Sequence, residues 1–437
     1  MMVTIFSNIG WLFFDKIYRL GGTLLINITI ARQFGPEGYG LLSLALALVE
    51  VGAAITLLGL RNIVVNDIVT GRTDAKRLVG TSMVLVLASG LTVYFLLLLT
   101  TRHFWHEDSS VLLFVAILGS SLVHKFLEVT SFWFEALTRS KFVVITYNTV
   151  FSVFLCIKIF LLLTNATLLS LVIITAVEML AISLGLAVVF QKKGLAWQNL
   201  SFASLEARNL LSRSWPLLLT AFAIMIYMRV DQIMISRLLS TTEVGIYTAA
   251  LSLSQLWYFF PSIVVASVFP TLIATRESDR TKYVANLQAL YDFLTMVAFF
   301  VTVFTVAMAD SIIDLVYGTP YEEAATVLSI HIFTCIFVSM GLARGRWLIS
   351  EDLQFYSFIY TGIGLVVNIV LNAILIIPYG ITGAAIATLI SQMTVALFAP
   401  ALFRSTRVSS KMLLASMNPI RWPSAVRHLR RLRSEAL

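Results

Sequence analysis

Charge is scarce in this chain. Only 12% of its 437 residues are Asp, Glu, Lys or Arg, about half of the roughly 25% usual for a soluble domain. Apolar residues make up 59% and the mean hydropathy is +0.90, more apolar surface than a soluble fold of this length can bury. Strand-like alternation is missing too. That excludes a membrane barrel and leaves an all-α integral membrane protein. Cysteine is nearly absent: Cys156 and Cys335 stand alone in apolar stretches, which argues against a disulfide framework. MMVTIFSNIGWLFF at the start has no basic preface and no small-residue cleavage site, so the first helix itself is expected to direct insertion. There is no P-loop, which excludes ATP as the direct energy source. No GxSxG or HExxH pattern occurs, and no cofactor or metal is expected.

What is present is a series of long apolar runs. Crossing a bilayer takes about 20 mainly apolar residues. Twelve stretches qualify: 10–32, 40–60, 78–100, 110–137, 141–164, 167–190, 213–237, 244–273, 286–309, 324–343, 355–377 and 381–403. The eighth is long enough to tilt or to break at Pro261. With both termini in the cytoplasm, 23 of the 31 basic residues fall on the cytoplasmic side and three (Arg32, Arg102, Arg237) on the other. One helix more or fewer would scramble this positive-inside bias. Five basic residues remain within spans: Lys16, Arg19, Lys125, Lys158 and Arg229.

An internal repeat accompanies the count. A shift of 205 residues lays IARQFGPEGYGLLSLALAL (30–48) over ISRLLSTTEVGIYTAALSL (235–253), matching Arg32 with Arg237 and Gly40 with Gly245. Six spans per half make the repeats parallel, related by an axis along the membrane normal. The expected organisation is an N-terminal six-helix bundle (1–190), a cytoplasmic linker (191–212), a C-terminal six-helix bundle (213–403) around a central cavity, and a basic cytoplasmic tail (404–437).

ARQFGPEGYG (31–40), after a charged first helix, resembles the start of a bacterial polysaccharide flippase. SWPLLLTAFAIMIYMRVDQIMISRLLSTTEVGIYTAALSLSQLWYFFPSIVVASVFP (214–270) resembles the seventh and eighth helices of the same family, through its Pro, its Arg-x-Asp-Gln and its Gly-x-Tyr-x-x-Ala. LVYGTPYEEAATVLSI (315–330) and YGITGAAIATLIS (379–391) match further segments in order, so the resemblance covers nearly the whole chain. The family is the Wzx-like O-antigen and polysaccharide transporters of the multidrug/oligosaccharidyl-lipid/polysaccharide exporter superfamily. The resemblance implies flipping of an undecaprenyl-diphosphate-linked oligosaccharide, an O-antigen or capsule repeat unit, across the bacterial inner membrane by alternating access. It implies as partners that lipid-linked glycan, membrane lipid, a coupling proton or sodium ion, and polymerase or chain-length proteins. Nucleic acid is not among them. Lipid II flippases of the superfamily typically have fourteen spans, so twelve favour the O-antigen or capsule branch.

A charge at mid-membrane costs about 2.5–3.5 kcal/mol on insertion scales, and such residues default to functional readings. In FFDKIYRLGG (13–22), Asp15 and Arg19 are i,i+4 and can pair, with Lys16 snorkelling to the headgroups. Alternatively Arg19, with Lys16, faces the cavity and binds the diphosphate, which its fork suits. Arg229 and Asp231 in YMRVDQ (227–232) are two apart and do not face each other, so each needs a partner elsewhere. Arg229 is a second diphosphate contact or half of an interhelical ion pair. Lys125 lines the cavity or pairs with Glu128 at i+3. Lys158, near a helix end, is expected to snorkel. Glu50 and Glu178 lack a local basic partner; they are protonated, paired across helices, or ion-coupling sites. Asp15 and Asp231 are the leading coupling candidates, with Glu128, Glu50 and Glu178 behind them.

Weaker patterns are read as structural. His103, His106, Glu107 and Asp108 form a solvated loop, His331 is a satisfied interior histidine, and Asn27, Asn148, Asn368 and Asn372 serve packing. The tail VRHLRRLRSEAL (426–437) reads as an interfacial segment on anionic lipid or as a disordered basic tail. Two other functions compete with the flippase, which is not an enzyme. A drug or cation antiporter of the same superfamily should have an acidic and aromatic cavity, whereas the first and seventh helices are mainly basic. A polymerase or ligase generally needs a sizeable outer loop, and outer connections here are about ten residues or fewer outside 309–323.

Overall fold

A computed structural model describes the backbone of residues 2–276 and 279–428, and side chains from residue 17 to 428 apart from 270, 271, 274, 277 and 278. The described residues form helices and turns with no strand. Ten helical stretches among them are long and apolar enough to cross a membrane. Two of these, Ile17–Thr70 with 54 residues and Phe355–Leu402 with 48, are double-length. Each is broken by a glycine with positive φ, Gly35 (67°) and Gly380 (58°), a conformation that side chains with a Cβ resist. Counted as two passes each, they restore the twelve spans of the hydropathy reading.

The second break is a hairpin. Ser391 Oγ donates to the Gly364 carbonyl at 2.7 Å and Asn368 Nδ2 to Thr388 Oγ1 at 3.3 Å. These partners would lie roughly 30–40 Å apart along one straight helix. Near the turn a Cβ on Gly383 would collide with the Leu375 carbonyl, so the two limbs close only over glycine. Gly383→Ala is expected to cost about 2–3 kcal/mol, because the obstacle is backbone and cannot rotate away. Thermal unfolding of the purified protein checks this, with Gly341→Ala, where a Cβ meets nothing within 4 Å, as the near-neutral control.

Helix starts are set by local chemistry. Asp74, Asp108, Thr167, Ser240 and Asp279 each accept a hydrogen bond from a backbone N–H in the first turn, satisfying donors that the helix leaves orphaned. Ser240 and Glu243 stand at capping-box spacing. Under the 205-residue repeat Ser240 falls opposite Gly35, and both positions stand at helix junctions. The eighth span does break, but at Trp257–Tyr258 rather than at Pro261. Pro261 lies in the first turn of the following helix, Phe259–Ala274, where a missing N–H costs nothing.

The chain divides into two compact units, residues 1–233 and 234–437. In the first, the connection before Ser204–Leu238 is not loose: Ala203 N donates to Thr81 Oγ1 at 3.1 Å, and a Cβ on Gly59 would meet the Leu218 nitrogen at 2.6 Å. In the second, Arg344 is only 4% exposed. Its Nη1 donates to the Val395 and Ala396 carbonyls, each at 2.7 Å, where the last span winds one π-helical turn, Thr394–Phe398. A residue that reads in sequence as an orientation charge therefore serves a helix distortion that would otherwise bury bare carbonyls. His331 is buried, its Nδ1 2.8 Å from Ser254 Oγ. After the last span the Arg407–Ser416 helix packs on Arg280–Ala307, and most of the segment 426–437 read as an interfacial or disordered tail lies outside the described residues.

Candidate functional site

Within the first unit, a cavity of about 300 Å³ opens among the first, second, fifth and sixth spans. Arg19, Thr23 and Asn27 line it from the first helix, Lys158 from Lys141–Leu163, and Thr175 and Glu178 from Leu168–Lys193; the remaining walls are apolar. Tyr18 docks the first helix on the fifth span, its hydroxyl 2.9 Å from Ser152 Oγ. The next residue, Arg19, then lies with its guanidinium 5.5 Å from the Tyr147 ring centre, within cation–π range. Gly22 permits this approach: a Cβ there would come within 2.8 Å of Phe151.

Lys158 does not snorkel. Its Nζ is 2.6 Å from Glu178 Oε2, and the two side chains are only 14% and 12% exposed. The glutamate that lacked a local partner finds one 20 residues away, because neighbouring antiparallel helices bring 158 and 178 to one level. Of the described charged side chains lining the cavity, two are cationic and one is anionic. Removing one member strands the other in a low-dielectric site. Lys158→Met is expected to destabilise by about 3 kcal/mol, and Lys158→Met with Glu178→Leu to recover most of it. Melting curves of the three proteins decide this, and a double variant no better than the single would overturn the pairing.

Four of the other candidates resolve into two ion pairs. Lys125 Nζ and Glu128 Oε2 are 3.0 Å apart, each 26% exposed, on a 3₁₀ turn, Lys125–Glu128, that interrupts the fourth span. Tyr147, by contrast, contacts the cavity arginine through its ring face. Sequence reasoning missed Tyr147, since an aromatic in an apolar helix carries no signal of its own. Arg229 Nε donates to Glu50 Oε2 at 2.6 Å, and Nη1 to Gln232 Oε1 at 3.4 Å. Asp231 is 4% exposed. The roles expected of Asp15 and Lys16 fall on side chains outside the described residues.

A further pair was hidden among the orientation charges. Arg213 grips Asp67 with both terminal nitrogens, at 2.6 and 2.9 Å. Asp67 is 1% exposed and its neighbours Arg72, Glu206 and Asn209 share an open polar pocket with the pair. In the turn before Ser109, His106 and Glu107 make an exposed 3.8 Å contact, and Asp108 caps a helix.

The architecture defines a polytopic helical membrane protein with a charged cavity inside its first unit. The same fold occurs in the solved structure of the lipid II flippase MurJ in an inward closed conformation, with a TM-score of 0.74 at 15% identity over 96% of both chains. It occurs also in an inward-facing multidrug resistance MATE family transporter of the MOP superfamily, with a TM-score of 0.71 at 16% identity over 91% of this chain and 96% of that one. A family model described as "Polysaccharide biosynthesis protein" matches residues 5–276, more than half of the chain, and the chain belongs to that family. Two Haloferax volcanii proteins are similar in part. "Probable low-salt glycan biosynthesis flippase Agl15" is 26% identical over 189 residues, 43% of this chain and 40% of that protein. "Probable flippase AglR" is 30% identical over 178 residues, 38% of this chain and 36% of that protein. The chain thus aligns with about two-fifths of the length of each relative.

Proposed function

We propose that this protein flips a polyprenyl-diphosphate-linked oligosaccharide between membrane leaflets, and in finer form an undecaprenyl-linked O-antigen or capsule repeat unit across a bacterial inner membrane, with both termini cytoplasmic. The observation that carries the reading is Arg19 beside Lys158 in one intramembrane cavity whose described lining holds a single carboxylate. Cations that line one intramembrane cavity suit an anion that arrives and leaves. Family membership and the flippase names of the partial relatives support it.

In this mechanism Arg19 receives the diphosphate, held over Tyr147 so that its fork is pre-oriented. Lys158 turns from Glu178 to the same anion, and the Glu178 carboxylate, left without its cation, takes up a coupling proton or sodium ion. Arg229 is a second phosphate contact, held by Glu50 until the anion competes for it. Residues 1–190 and 213–403 act as the halves of an alternating-access cycle, joined by 191–212. The antiporter reading fits the cavity less well, because two cations repel a cationic drug.

The test is reconstitution of the purified protein in vesicles carrying a polyprenyl-diphosphate disaccharide, read by access of an added glycosidase. Accelerated equilibration between leaflets is expected. No acceleration over protein-free vesicles, with dissipation of a cationic dye gradient instead, would establish the antiporter.

A further inference from the structure

Residues 407–428 double back on themselves along one spanning helix. The outgoing limb, Arg407–Ser416, touches Arg280–Ala307 at rising levels: Gln288 Nε2 donates to the Met412 carbonyl at 2.9 Å, and Thr295 Oγ1 lies 2.9 Å from Ser416 Oγ. At the top, Trp422 packs on Phe299 and Phe300, with ring centres 5.2 and 6.0 Å away. The returning limb descends: Arg421 Nε donates to Asp292 Oδ2 at 3.2 Å, and His428 Nε2 lies 2.6 Å from Asn286 Oδ1. The rise from residue 288 to 299 is about 16 Å at helical pitch, half of a hydrocarbon core of about 30 Å. The hairpin can dip into a membrane but cannot cross it.

The tip exposes Met417 and Ile420, the latter 85% exposed, with Asn418 also exposed and the Arg421 side chain 42% exposed and turned to Asp292, and its Trp422 packs on the exposed Phe300 of the spanning helix. The base exposes Arg404, Arg407, Lys411 and Arg427. Residues 403–428 contain no Asp or Glu. The turn also satisfies polar groups internally, Ile420 N donating to Asn418 Oδ1 at 3.1 Å and Trp422 Nε1 to the Ser416 carbonyl at 2.9 Å, as non-helical backbone must where water is absent.

We infer that residues 407–428 form a re-entrant wedge whose tip inserts among acyl chains while its basic base seats on anionic phospholipid headgroups. Lipid is the occupant because the tip continues an apolar, outward-facing flank of a spanning helix. An acid-free basic rim matches a negatively charged leaflet. The wedge holds this end of the chain at the bilayer surface and senses its charge. The inference does not depend on what the protein transports.

Spin labels at Ile420→Cys and at Arg407→Cys test it, each in full-length protein carrying Cys156→Ser, since Cys335 is buried. In bilayers the label at 420 should collide several-fold more with oxygen than with an aqueous nickel chelate, and the label at 407 the reverse. Preference for the chelate at 420 overturns the insertion, and shielding from both reagents shows a protein cover and overturns it equally. For the base, amide exchange over 404–412 should slow several-fold when phosphatidylglycerol replaces part of the phosphatidylcholine, and Arg407→Gln with Lys411→Gln should abolish the difference. Equal exchange in both lipids, or the same slowing from inorganic phosphate in neutral bilayers, overturns the headgroup assignment.

Discussion

Arg19→Ala should reduce flipping of the lipid-linked glycan by about a hundred-fold or more at unchanged protein level. Hydrogen bonds from a charged donor contribute about 1.5–3 kcal/mol each, and the arginine fork offers two to a phosphate. Arg19→Lys keeps the charge and loses the fork, so it should retain an intermediate rate. Tyr147→Phe preserves the ring under the guanidinium and should transport nearly normally, whereas Tyr147→Ala removes the platform and should fall several-fold. The same vesicle assay, with melting curves beside it, separates transport from folding. Normal flipping by stably folded Arg19→Ala protein would place the phosphate contact elsewhere, and a loss of stability equal to that of Lys158→Met would make Arg19 a structural cation.

Arg213→Ala should cost about 3 kcal/mol of stability, as much as Lys158→Met. Asp67 is 1% exposed and keeps both carboxylate oxygens on Arg213; deleting the arginine leaves a buried charge uncompensated. Asp67→Asn should cost less, because the half-exposed Arg213 can then turn to water. The pair joins Leu60–Thr70 to the start of Ser204–Leu238, so the chain before residue 233 should loosen there first. Hydrogen exchange in both segments and thermal unfolding measure it. Equal effects of the two substitutions would show that the desolvated carboxylate is not what drives the loss.

Much of the fold was legible in one dimension. Span number follows from hydropathy, because a bilayer demands a length of apolar helix whatever surrounds it. The two breaks in the double-length helices lie in the short gaps between candidate spans, at Gly35 and Gly380, where positive φ admits only a residue without a Cβ at low cost. The candidate site was legible in part. Arg19 and Glu178 stood out as charges in apolar helices, and both line the cavity. Their partners did not stand out. Lys158 looked like a snorkelling end residue, Arg213 and Arg344 like topology charges, and Tyr147 like filler.

The sequence by itself determined a helical membrane protein of twelve spans and which charges are too costly to be incidental. Those properties are local, set by a residue and its neighbours within a turn or two. Only the tertiary structure decided that Lys158 meets Glu178, that Glu50 meets Arg229 across 179 residues of chain, and that the segment 407–428 doubles back along a spanning helix. Such pairings depend on the rotation and depth of one helix against another, and a hydropathy profile carries neither.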